Sequence, residues 1–259
     1  MQRYLEDLRS NFDDANVINK RANRIVIRWR TAESSESETG NTIIIKMWSR
    51  PDRNGSLRRL LRIAACNHEW RNLLRMSRCG IAVPQPLGFL AVAPSIAGYT
   101  DVLFMEDLGI CESAMEHLKR LVQAGQEQQV SRFEDVQIEM TAQMVDAGLL
   151  DVDHGMLNIV VQASGRPVKL DVELARHVMW PRLFPAMYSI MLGRMIGLHA
   201  YTVQPDVGRT TRFAERLYGR LRPPPGVLKR AGRHALEMMR QQLQTSGIDT
   251  RLILPQGQR

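Results

Sequence analysis

Cysteine, aromatic residues and long apolar runs are all scarce in this chain. Its three cysteines, Cys66, Cys79 and Cys111, are scattered. Without a close pair they suggest neither a disulfide framework nor a zinc site, so the chain reads as a protein of a reducing compartment. Aromatics make up 6% of its 259 residues. It has no aromatic string or recognisable motif for stacking on bases, so no nucleic-acid partner is expected despite the charge. The N-terminus, Met1-Gln-Arg-Tyr-Leu-Glu-Asp-Leu, places charges where a signal peptide needs an apolar core. The most apolar long stretch, 183–200, is interrupted by Arg194. It falls short of the roughly 20 residues of a bilayer span and reads as a buried helix. The expectation is a cytoplasmic protein. No internal repeat is visible.

What is present supports a core. The hydrophobic fraction is 44% and the formal net charge +8. The length allows one large domain or two small ones. A basic surface suits anionic partners such as nucleotides, phosphorylated sugars or an acidic membrane face, although solubility alone also explains it. The 14 methionines read as core filler.

Residues 1–16 are polar and read as helical or loose. Arg24-Ile-Val-Ile-Arg-Trp-Arg30 and Thr42-Ile-Ile-Ile-Lys-Met-Trp48 read as strands joined by the polar loop 31–40. A helical pattern runs from Ser56 to about Cys79, and Gly80 supplies the left-handed residue that ends a helix. Ile81-Ala-Val-Pro-Gln-Pro86 must be extended, because each proline pushes its predecessor out of the helical region. Strands are predicted at 87–93, 102–105, 159–162 and 168–171. Helices are predicted at 113–124, 131–147, 184–200, 206–220 and 226–245. The layout is a strand-rich portion with one helix (10–105), a linker (106–109) and a mainly helical portion (110–259), within one domain spanning 1–259.

Five residues stand out by type and order. Lys46 lies among isoleucines, where an unpaired ammonium is costly. Glu69, on the helix that follows, is the acid placed to pair with it. The bland alternative is an edge-strand lysine reaching water. Asp153 and Asn158 occur in Leu150-Asp-Val-Asp-His-Gly-Met-Leu-Asn158, and Asp171 follows one hairpin later. Alone, each suits a turn, where Asp and Asn bond their own backbone. Together they suit phosphoryl transfer: a carboxylate for the acceptor hydroxyl, then an amide and a carboxylate as hard oxygen ligands for Mg²⁺.

In that order, Lys46, Glu69, Asp153, Asn158 and Asp171 resemble the protein-kinase-like superfamily. Within it the chain is most similar to the bacterial lipopolysaccharide kinases, which phosphorylate heptose or Kdo. The resemblance is carried by the lysine strand, His68-Glu-Trp-Arg-Asn-Leu-Leu, Gly80-Ile-Ala-Val-Pro-Gln-Pro-Leu-Gly88, Met105-Glu-Asp-Leu-Gly109 and the Asp-to-Asn loop, over about 15–180. It implies an α+β, bilobal kinase-like fold with a small antiparallel-sheet lobe and a helical lobe. It also implies that ATP and Mg²⁺ are used. Lys46 then orients phosphates, held by Glu69, and the backbone at Glu106 and Leu108 holds adenine. Asn158 and Asp171 ligate Mg²⁺, and Asp153 serves the acceptor hydroxyl. The expected acceptor is an anionic sugar or glycolipid.

Several features depart from the superfamily. The turn near Ile18-Asn-Lys-Arg-Ala-Asn23 has no glycine, so its backbone approaches phosphates less closely, and Lys20 and Arg21 offer charge there instead. Asp151 stands where the superfamily has histidine, and Val172 and Glu173 replace the Phe and Gly after the metal-binding Asp. No Ala-Pro-Glu follows, so a peptide platform is absent and a small or lipid-linked hydroxyl is favoured over a protein side chain. A compact RIO-like protein kinase and a non-catalytic pseudokinase are the alternatives. His154 is left without a role, and His199 reads as a core histidine. Arg176, Arg182, Arg209, Arg212, Arg216, Arg220 and Arg222 read as a solvated face or as a platform for an anionic glycolipid. The second reading carries the expectation of peripheral contact with the inner membrane.

Overall fold

The computed structural model describes residues 6, 8–12, 16–30, 42–49 and 65–245. The loop 31–40 and the first part of the helix expected from Ser56 lie outside them. The chain divides into two compact units: Met1–Arg78 with Val83–Gly109, and Cys79–Ala82 with Ile110–Arg259.

The first unit is built on an antiparallel sheet of five strands in the order β1-β2-β3-β5-β4. These are β1 (Asn16–Arg21), β2 (Arg24–Arg30), β3 (Thr42–Ser49), β4 (Pro86–Ile96) and β5 (Tyr99–Glu106). Strand alternation sets the faces. Ile25, Ile27 and Trp29 of β2 join Ile45, Met47, Val102 and Phe104 in one core with Leu8. Lys46 is out of phase with Ile45 and Met47 and therefore projects from the other face. Helix α1 (Ala65–Arg78) packs against β3, β4 and β5. Strand β1 is a correction to the sequence reading, which left 1–16 loose and put a turn near 18–23. The turn is only Ala22 and Asn23, and Asn16–Arg21 pairs with β2. All of β1 is exposed, so no apolar alternation marked it.

The second unit contains helices α2 (Ala114–Gln123), α3 (Glu127–Asp146), α4 (Pro185–Thr202), α5 (Val207–Leu221) and α6 (Pro225–Thr245). Ser113 and Glu116 form a capping box at the start of α2. Helix α4 is the apolar stretch of the sequence and is buried along most of its length. It packs closely on α6 through Gly193 and Gly197. A Cβ on Gly193 would lie 2.4 Å from His234 Cβ, and one on Gly197 2.5 Å from the Ala235 carbonyl oxygen. Among the described residues no helix is long and apolar enough to cross a membrane.

Short strands β6 (Cys111–Ser113), β8 (Ile159–Gln162) and β9 (Pro167–Lys169) form one sheet; β7 (Leu149–Asp151) and β10 (Ala175–His177) form another. The strands β6, β7 and β10 were not foreseen, because three residues carry too little periodicity to see. The arginine platform is corrected in part. Arg209 bonds Glu127 at 2.7 Å, Arg216 pairs with Glu134 and Asp135, and Arg220 reaches Glu139 at 3.1 Å and Asp146 at 3.2 Å. These arginines hold α5 to α3. His199 is fully buried, bonds Glu134 at 2.9 Å and stacks on Phe213. It is the core histidine expected.

Candidate active site

In the first unit, β3 is the middle strand, so Lys46 is no edge lysine. It is 4% exposed and Glu69 is 2% exposed. Lys46 Nζ lies 2.6 Å from Glu69 Oε2 and 5.2 Å from the centre of the Trp48 ring. Two buried charges of opposite sign, held this closely, satisfy each other and fix the ammonium in one place.

The 106–109 segment is braced rather than loose. Glu106 N–H donates to the Gln85 carbonyl at 2.9 Å, and Glu106 Oε2 accepts from Gln85 N–H at 2.9 Å. The Glu106 amide is therefore spent within the protein. Arg28 Nε lies 2.8 Å from Asp107 Oδ2, and its Nη2 donates to the Gly109 carbonyl at 3.2 Å. Arg28 carries no signal of this role in sequence, because its partner Asp107 is far along the chain.

In the second unit, the loop from β7 to β8 carries Asp153 and Asn158. Its anchor is a pair absent from the sequence reading. Asp151 and Lys169 are both fully buried, with Nζ 2.9 Å from Oδ2. Lys169 Nζ also donates to the Leu170 carbonyl at 2.8 Å. Asp151 Oδ1 then accepts the Asp153 N–H at 2.9 Å. Asp151 thus fixes the loop, with Lys169 as its counter-ion.

Asp153 is held on both oxygens. Arg194 Nη2 of α4 lies 2.6 Å from Oδ1. Asn158 Nδ2 donates to Oδ2 at 2.7 Å and to the Asp153 carbonyl at 2.9 Å. The Asn158 nitrogen is thereby committed, which leaves its side-chain oxygen as the atom for a cation. Arg194 crosses beside Gly155, where a Cβ would lie 2.6 Å from Leu198 Cδ1 and 3.9 Å from Arg194 Nε. Asp171 follows closely: the Leu170 N–H bonds the Asn158 carbonyl at 2.8 Å. Asp171 has φ of 48°, a left-handed conformation uncommon outside glycine and frequent at functional sites.

His154 points inward and is fully buried. Thr141 Oγ1 spends its proton on the Gln137 carbonyl at 2.8 Å, so it accepts from His154 Nε2 at 2.9 Å. Desolvation, helped by the Lys169 charge, pulls the imidazole down to about 3, so it is neutral. It supports the loop and is no proton carrier.

Residues 13–179 match the model of the lipopolysaccharide kinase (Kdo/WaaP) family, well over half of the chain. The chain belongs to that family. The lipopolysaccharide kinase assignment makes it an enzyme, a kinase of a family acting on lipopolysaccharide sugars. Among solved structures it is similar to one described as WaaP in complex with acyl carrier protein. That likeness has a TM-score of 0.60 at 16% identity, over 89% of this chain and 92% of the other. It shows the kinase-like fold. No curated protein sequence matches the chain.

Proposed function

We propose that this lipopolysaccharide kinase transfers the γ-phosphoryl group of ATP, with Mg²⁺, to a sugar hydroxyl of lipopolysaccharide or a related glycolipid. The observation that carries the reading is Asp153, clamped by Arg194 and Asn158 in a loop that Asp151 and Lys169 hold rigid. Phosphoryl transfer asks the protein mostly for placement and charge. Asp153 orients the acceptor hydroxyl and takes its proton late. Lys46, fixed by Glu69, holds phosphate oxygens, and the backbone at Glu106 and Leu108 receives adenine. For Glu106 the carbonyl must do this, since its amide is already used.

The donor set suits a hard cation: Asn158 has only its oxygen to offer, and Asp171 is a carboxylate. These two would hold Mg²⁺, which when bound neutralises charge on the phosphates. Such an enzyme works on the cytoplasmic side, where ATP is supplied. Incubation with γ-labelled ATP and lipopolysaccharide core tests the reading. Label in the sugar supports it. Label in serine or threonine of protein substrates would instead favour a RIO-like protein kinase, and no transfer at all a pseudokinase.

A further inference from the structure

Large apolar side chains exposed to water gather in one short segment, 174–184. Met179 is 73% exposed, Trp180 61% and Leu183 69%, with Leu174 and Phe184 at 44% each. Elsewhere among the described residues such side chains occur singly or in pairs. Single ones need no explanation, whereas a cluster marks a contact surface. The segment is not a loose loop. Val178 is buried and its N–H bonds the Gly148 carbonyl at 2.7 Å. A 3-10 turn, Pro181–Leu183, holds the tip, with Leu183 N–H on the Trp180 carbonyl at 3.0 Å. The apolar groups therefore project from fixed backbone.

Charge indicates what covers them. From 174 to 205 the sequence has no Asp or Glu, while Arg176, His177 and Arg182 are exposed within the patch. Tryptophan, leucine and phenylalanine flanked by arginine, with no acid within the segment itself, match the boundary between lipid tails and anionic headgroups. Position indicates why. The segment leaves the sheet through β10, whose Ala175 pairs with Asp151, the residue that fixes Asp153. A surface docked here is beside the loop that serves the acceptor.

We propose that residues 174–184 form the docking surface for an anionic bilayer, bringing the chain to an acceptor carried in that bilayer. The acceptor's role rests on the kinase reading; the docking does not, and its test uses no ATP. The full chain is floated with vesicles of phosphatidylcholine, with or without phosphatidylglycerol, while tryptophan emission is followed. Trp29 and Trp48 are buried and Trp70 is half-buried, so a blue shift reports Trp180.

Binding is expected to the anionic vesicles, weakened by salt. Trp180→Ser with Leu183→Ser should lower it at least about tenfold, from lost apolar burial. Arg176→Gln with Arg182→Gln should lower it about 25-fold, roughly fivefold for each charge. Unchanged circular dichroism shows that each variant is folded. The proposal is overturned if the wild type ignores anionic vesicles, or if it binds them and both variants bind equally well. It is also overturned if the segment instead dimerises the chain in solution and leaves vesicles unbound.

Discussion

Arg194 on α4 sits 2.6 Å from the carboxylate of Asp153. The contact joins a buried helix to a loop 41 residues earlier in the chain, and it leaves Asp153 with one orientation. Arg194→Met should lower kcat about a hundredfold, the scale of a misplaced reacting group, with KM for ATP unchanged. Steady-state kinetics at varied ATP check this. An unchanged kcat would show that Asn158 alone positions the carboxylate.

The Lys46–Glu69 pair should behave as a buried unit. Lys46→Met alone removes the ammonium from beside the buried Glu69 carboxylate and should cost about 3–5 kcal/mol, whereas Lys46→Met with Glu69→Leu should recover most of that. Urea denaturation measures both. Neither variant should transfer phosphate, so stability and activity separate.

His154 gives a pH dependence. Folded, it stays neutral down to about 3, against an ordinary value of 6.5. The unfolded chain takes up the extra proton between those values. This contribution is therefore whole above about pH 6.5 and falls with pH by up to about 1.4 kcal/mol per unit. His154→Gln should flatten the fall in urea midpoint between neutral and mildly acidic buffer.

Gly148 has φ of 70°, and a Cβ there would lie 2.4 Å from the Val178 carbonyl oxygen. Gly148→Ala should destabilise the chain by about 2 kcal/mol or more, from left-handed strain and from displacement of the backbone at Val178. Thermal melting reads it.

The legible parts of the fold were those with a repeating or continuous apolar pattern. The alternation in β2, the isoleucine run of β3, the continuous apolar run of α4 and the helices α2, α5 and α6 came through. Helix α3 begins at Glu127, earlier than the Ser131 expected, because its first turn is polar. The exposed β1 gave no signal. Of the five residues read from type and order, Lys46 pairs with Glu69 and Asn158 bonds Asp153, and their residue types made those two pairs legible. Lys169, Arg194 and Arg28 were not legible, because each acts through a partner that only folding brings near. The arginines of α5 misled for the same reason: charge in sequence does not show which acids on α3 answer it.

The central claim is that this lipopolysaccharide kinase uses Asp153 to deliver an acceptor hydroxyl to ATP. The most direct measurement compares phosphate transfer to lipopolysaccharide core by wild type and Asp153→Ala, with nucleotide binding followed in parallel. The account predicts transfer by the wild type, loss of at least about a hundredfold in the variant, and nucleotide affinity kept. Equal transfer by both proteins would contradict it.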